Sequence, residues 1–338
     1  MAYHSNLPTR RRLLSGLGVS LAVLAAPRGV RAQPSPPAGI ADGYRVLRAQ
    51  LGTLPLLGAG KPGTSVRCFD GAAPGPLLRV RQGEELEVRL TNGLSEPVAV
   101  HWRGLRIPSA MANAAPVKPG DHFDYRFTPP DAGTFWYHAP FGDDGASGRG
   151  LYGALIVDER TPPDVDRDIL MVFDNWKFNG DGTPGHDFSH PTINGAPAFD
   201  VPVKPNERLR PRLLNAAPDR MTMLSFGKHE PMVMAIDGQP AQPFIAQGST
   251  IALGPGSRVD LFVDMTLQPG ETSVLTADSV TLARFIYGKD AARPTPRETA
   301  RPLPSNPLPE QMNFAGSLRA NVTLPMTQEP EAKPLFTA

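Results

Sequence analysis

The sequence predicts an all-β protein built from two β-sandwich domains, and three observations carry that prediction. Short stretches alternate apolar with polar residues, as in "ELEVRL" (Leu86, Val88, Leu90) and "HFDYRF" (Phe123, Tyr125, Phe127), the period of a half-buried strand. Glycine (33) and proline (39) make up about a fifth of the 338 residues, a density suited to many turns between short strands. No long amphipathic helical pattern interrupts either half.

The elements follow in chain order. Residues 1–32 predict an export signal: arginines after Thr9, an apolar run from Leu13 to Ala26, and Val30-Arg31-Ala32 as a small-x-small cleavage site before Gln33. The order Thr-Arg-Arg-x-Leu-Leu resembles the bacterial twin-arginine signal and places the mature chain in the periplasm or outside the cell. The apolar run is too short for a permanent anchor, and no later segment is apolar enough to span a membrane. Strand patterns then fill residues 45–158, from "ELEVRL" through "TFWYH" and "GALIVD", with Gly/Pro/Asp-rich turns between them. A second set fills 165–290. There "LGPGSRVDLFVD" parallels "VKPGDHFDYRF" of the first set, each placing Pro-Gly before an alternating strand. Residues 291–338 hold nine prolines and read as an extended linker or tail.

Composition excludes some functions. Without the signal the chain has 29 basic against 33 acidic residues, which gives no electrostatic footprint for nucleic acid. The single cysteine, Cys68, rules out an internal disulfide or a thiolate cluster and reads as a buried structural thiol.

Several stretches together resemble the multicopper oxidase family, laccase-like and copper-efflux oxidases. They are "FDGAAPGPLLRVRQGEELEVRLTNGLSEPVAVHW" (69–102), "DAGTFWYHAP" (131–140), "GLYGALIVDE" (150–159), "INGAPAFDVPVKPNERLRPRLLNAA" (193–217) and "AIDGQPAQPF" followed by "LGPGSRVDLFVD". The resemblance implies two cupredoxin-like Greek-key domains, with "PLPSNPLPE" (302–310) resembling the linker toward a third. It also implies copper as cofactor, a trinuclear cluster held by four His-x-His motifs between the first and third domains. Here the first motif reads His101-Trp102-Arg103-Gly104 and the second Tyr137-His138-Ala139-Pro140, so each keeps its first histidine and lacks its second. Arginine stays protonated and cannot ligate a metal, and proline has no side-chain donor. The acid that members place in a following "AMDG" is replaced in Ala110-Met111-Ala112-Asn113. No histidine or cysteine follows His229, so the ligands that the family carries in its third domain do not occur in these 338 residues.

The expected function is therefore that of an exported, non-catalytic binding or scaffold protein of the periplasm. It would engage a protein partner or a second copy through the face that a third domain would cover. The alternative is a laccase-like copper oxidoreductase completed by a third domain on another chain. His101 and His138 are the candidate metal residues, as remnants of the cluster motifs. Arg103 is expected to pair with Asp143 or Asp144 of "FGDDG" in place of a metal. His186 and His190 are expected in a solvated loop, and His122 and His229 as structural or exposed residues. The alternating methionines Met221, Met223, Met232 and Met234 read as inward-facing core positions.

Overall fold

The computed structural model describes residues 38–58, 60–140 and 150–308. The signal segment and Asp143 and Asp144 lie outside the described residues. The described chain is nearly all strand, and its four sheets form two face-to-face pairs.

The first pair joins a sheet of Gly39–Ala41, Tyr44–Leu54, Thr64–Phe69, Leu86–Asn92 and His122–Phe127 to one of Leu78–Arg81, Tyr152–Asp158, Gly133–His138 and His101–Arg103. Alternation does the work. Leu86, Val88 and Leu90 are buried, with Glu87 and Arg89 turned outward between them. They meet Phe69, Trp102, Phe135 and Tyr137 in one core. The second pair joins a six-stranded sheet, centred on Glu207–Asn215 and Arg258–Met265, to a five-stranded sheet that includes Thr222–Ser225, Thr272–Ala277 and Val280–Tyr287. Its core holds Phe173, Leu209, Leu213, Leu261 and Phe285.

The two sandwiches are welded by apolar and charged contacts. Leu56, Cys68, Trp136 and Tyr152 of the first pack against Val172, Trp176, Phe178 and Leu214 of the second. Beside them Arg210 and Arg212, both buried, stand two apart on one strand and so share a face. Arg210 grips Glu159 through two bonds of 3.0 and 2.6 Å and reaches Asp260 at 2.7 Å. Arg212 bonds Asp168 at 2.8 Å and Asp260 at 3.0 Å, and Thr134 Oγ1 of the first sandwich donates to Asp260 at 2.6 Å. Burial would push the Asp260 carboxyl up, but Arg212 and Arg210 hold it below its ordinary value.

A hairpin tip completes the joint. Ile236 pairs with Gln239 around Asp237-Gly238, both at positive φ, as a two-residue turn of this kind requires. A Cβ on Gly238 would lie 2.7 Å from Phe135 Cε1, so only glycine lets the tip seat on the first sandwich. Residues 291–308 have no regular secondary structure and run as a strap over both sandwiches. Arg293 and Arg297 bond Asp166 and Asp164, Leu303 is buried, and Asn306 reaches Ala132 and Gly238.

Candidate functional site

The candidate residues come from two neighbouring strands. His101–Arg103 pairs antiparallel with Gly133–His138, setting His101 opposite His138 and Arg103 opposite Trp136. Residues directly opposite on such a pair share a face. His101, Arg103, Trp136 and His138 therefore point one way, while Trp102, Phe135 and Tyr137 enter the core.

The two histidine rings lie 5.7 Å apart, edge to face, and Trp136 stacks on His138 at 4.4 Å. Arg103 Nε–H donates to His138 Nε2 at 2.9 Å. Because a guanidinium only donates, Nε2 must carry its lone pair rather than a proton. The ring proton then sits on Nδ1, which lies 2.7 Å from the Ala139 carbonyl oxygen. Burial, helped by the charge of Arg103, pushes His138 down to about 4, against the pull of the Ala139 bond. Burial and then Arg103 lower His101 as well. Both rings are thus biased toward the neutral form, and the Arg103 cation sits on His138 Nε2.

A copper ion at His138 would need the lone pair that Arg103 already uses, and it would meet a fixed positive charge. Among the described residues, no group of three or more His, Cys, Asp or Glu is placed to hold a metal ion. As arranged here, these residues do not fit copper. Asp143 and Asp144, the expected partners of Arg103, lie outside the described residues; among those described, its side-chain partner is the His138 imidazole.

The same face opens on a cleft of about 380 Å³ where Arg103, Gly104 and Trp136 meet Asp237, Ser257 and Arg258 of the second sandwich. Arg258 is buried and donates to the carbonyls of Thr134, Gly256 and Asp237. Its head packs so tightly on the turn after Arg103 that a Cβ on Gly104 would lie 2.3 Å from Nη2.

Two family models, each described as multicopper oxidase, match residues 55–162 and 136–285. The chain belongs to the multicopper oxidase family. A solved multi-copper oxidase from Pseudomonas thermotolerans superposes with a TM-score of 0.70 at 31% identity, covering 78% of this chain and 68% of that one. Lac15 from a marine microbial metagenome gives 0.70 at 34%, covering 79% and 72%. Multicopper oxidase MmcO of Mycobacterium tuberculosis is 28% identical over 280 residues, 70% of this chain and 55% of its own length. The chain spans about half the length of the curated relatives it matches. The family is copper-dependent, and its cupredoxin fold accounts for the all-β sandwiches.

The other candidates are scattered. His186 is exposed in a loop, whereas His190 lies on the strand Phe188–Ile193, half-buried against Phe178. His122 is exposed; His229 is buried, its Nε2 2.6 Å from the Tyr287 hydroxyl. Cys68 is buried and burial raises its thiol. The methionines require a correction. Met234 is buried and Met232 half-buried, but Met221 and Met223 are exposed, because Thr222 and Leu224 take the inward positions of that strand. Sequence reading missed Trp136, Arg258 and the Arg210–Asp260 network. The one available signal for the network was the alternation Arg208, Arg210, Arg212 along an otherwise apolar strand.

Among the described residues no helix is long and apolar enough to cross a membrane.

Proposed function

We propose that this chain is an exported member of the multicopper oxidase family that acts in the bacterial periplasm by binding rather than by copper redox chemistry. One observation carries the reading: the Arg103 guanidinium occupies the His138 nitrogen that would ligate a metal, at 2.9 Å. Arg103 and Pro140 stand where the family resemblance places histidines, so the first-sandwich half of a cluster has lost two ligands and gained a charge. The surface that a third domain covers in longer members is the proposed contact for a protein partner or a second copy.

The test is copper content of residues 33–338 after Cu(II) and Cu(I) loading under mild chelation. The expected result is no retained copper. About one tightly held copper, lost in His101→Ala or His138→Ala, would overturn the reading. It would support instead a laccase-like oxidoreductase completed by a third domain on another chain. Export rests on the Thr9–Leu14 pattern. A reporter fused after residues 1–33 should reach the periplasm, and lysines at both Arg10 and Arg11 should stop it; unimpeded export of that variant would refute the twin-arginine route.

A further inference from the structure

Among the described residues, the cleft beside His138 carries more positive charge than its walls answer. Arg103 spends Nε on His138, and its two terminal nitrogens have no protein acceptor among the described residues. Arg258 donates to three neutral carbonyls; its ion-pair partner is Asp237, with 3.3 Å between Nη1 and Oδ1, while the Asp260 carboxylate that also acts on it is already held by Arg210 and Arg212. That carboxylate also accepts the Arg258 backbone N–H at 2.9 Å. Among the described residues, two guanidiniums and one carboxylate line the cleft, an excess of positive charge. Burial pushes the Arg258 guanidinium below its ordinary value, against the charges of Asp237 and Asp260 and with a smaller push from Arg103.

A third donor points to the same kind of ligand. The Trp136 indole N–H is buried and has no acceptor among the described residues. Trp102 and Trp176 share that lack, but Trp136 is the one that lines this cleft. Its Cζ2, on the nitrogen-bearing side of the ring, lies 3.3 Å from where a Cβ of Gly256 would sit, so that edge faces the cleft wall. A buried donor without a partner is uncommon in a native fold and is relieved by an acceptor from outside. The volume of about 380 Å³ suits a small molecule.

We propose that this cleft is an oxyanion site, binding the carboxylate or phosphate group of a small molecule on the terminal nitrogens of Arg103, with Arg258 as a buried second cation and Trp136 Nε1–H as a third donor. The proposal rests on the reading that Arg103, not copper, holds the His138 lone pair. A planar guanidinium matches either anion through paired N–H bonds.

The full chain, labelled with nitrogen-15, has three tryptophan indole signals to follow, and Trp136→Phe assigns the relevant one. Sodium phosphate and citrate are titrated separately at constant ionic strength, with chloride as the control salt. The expected result is a saturable shift of the Trp136 indole signal at millimolar anion. Tighter citrate binding identifies a carboxylate ligand, and tighter phosphate binding a phosphate ligand. Arg103→Gln, at an exposed strand position, should keep the melting temperature and weaken binding by about tenfold, the worth of one charge-assisted hydrogen bond. No saturable shift with either anion, or equal affinity in Arg103→Gln, would overturn the site. Copper analysis of the same sample separates the two ideas: retained copper defeats the functional reading, whereas metal-free protein that ignores both anions defeats only the oxyanion site.

Discussion

Arg103 sets the character of the site through one hydrogen bond. Its Nε–H uses the lone pair of His138, and the neighbouring ring of His101 is 5.7 Å away. Removing the guanidinium should leave two imidazoles on one face with nothing between them. Arg103→Ala is therefore expected to take up Cu(II) weakly where the parent takes up none, without gaining oxidase activity; equilibrium dialysis against copper measures both. If neither protein takes up copper, the burial of His138, not the arginine, excludes the metal. His229 offers a separate test at the same scale. Burial holds its proton affinity below the ordinary 6.5; its Nδ1–H donates to the Phe226 carbonyl at 3.2 Å, which leaves Nε2 to accept from the Tyr287 hydroxyl. A histidine lowered on folding binds its proton more readily when unfolded. Its stabilising effect is thus complete above about 6.5 and is lost as the pH falls below that value. His229→Gln cannot take up a proton and keeps an acceptor for Tyr287. Its urea midpoint should fall less steeply than the parent's between about pH 6.5 and pH 4. Parallel curves would mean that His229 binds its proton equally well in both states.

At the scale of elements, the strand Gly133–His138 explains how one sequence serves two environments. Phe135 and Tyr137 fill the first core, and Thr134, Trp136 and His138 face the second sandwich and the cleft. Only the grouping was legible in advance, because alternation tells which residues share a face and so puts His101 with Arg103. What alternation could not give was the partner across the joint. Nothing in "TFWYH" announces that Thr134 donates to Asp260, over a hundred residues away in sequence. The methionines show a different failure. Period two fixes that alternate residues share a face but not which face is inward, and a shift of one residue exchanges them all. At Thr222–Ser225 the buried residues are Thr222 and Leu224, so Met221 and Met223 point out. The network at the joint yields a prediction of its own. Asp260 is buried and answers both Arg210 and Arg212. Asp260→Asn keeps the shape but leaves two buried guanidiniums short of a charge, which should destabilise the chain by about 3 kcal/mol in urea unfolding. A loss under about 1 kcal/mol would show that Glu159 and Asp168 suffice.

At the scale of the whole molecule, the question is whether two sandwiches behave as one body. The proline-dense segment after residue 290 reads in the sequence as a linker, because proline imposes extended backbone and says nothing about what that backbone touches. Its described part has no regular secondary structure, yet it packs on both sandwiches, and the sequence could not show this because its anchors are ordinary residues. Leu303 is buried, and Asn306 binds both sides at once. The Asn306 carbonyl accepts from Ala132 N–H at 2.8 Å, and its amide donates to the Ala132 oxygen at 3.0 Å and the Gly238 oxygen at 3.1 Å. Ala132 precedes the strand that carries Trp136 and His138, and Gly238 is the tip beside Arg258. One side chain thus ties the two walls of the cleft, adding to the Arg210–Asp260 network and the apolar joint at Trp136 and Trp176. With three independent ties, the parent should unfold in a single calorimetric transition whose calorimetric and van't Hoff enthalpies agree. Asn306→Ala leaves the Ala132 and Gly238 groups without their partner, so it should destabilise by about 2 kcal/mol and lower Tm by several degrees. The remaining two ties should keep the transition single. If the variant instead splits into two transitions, the strap and not the charged network makes the sandwiches cooperative, and the cleft between them then depends on a segment outside either one.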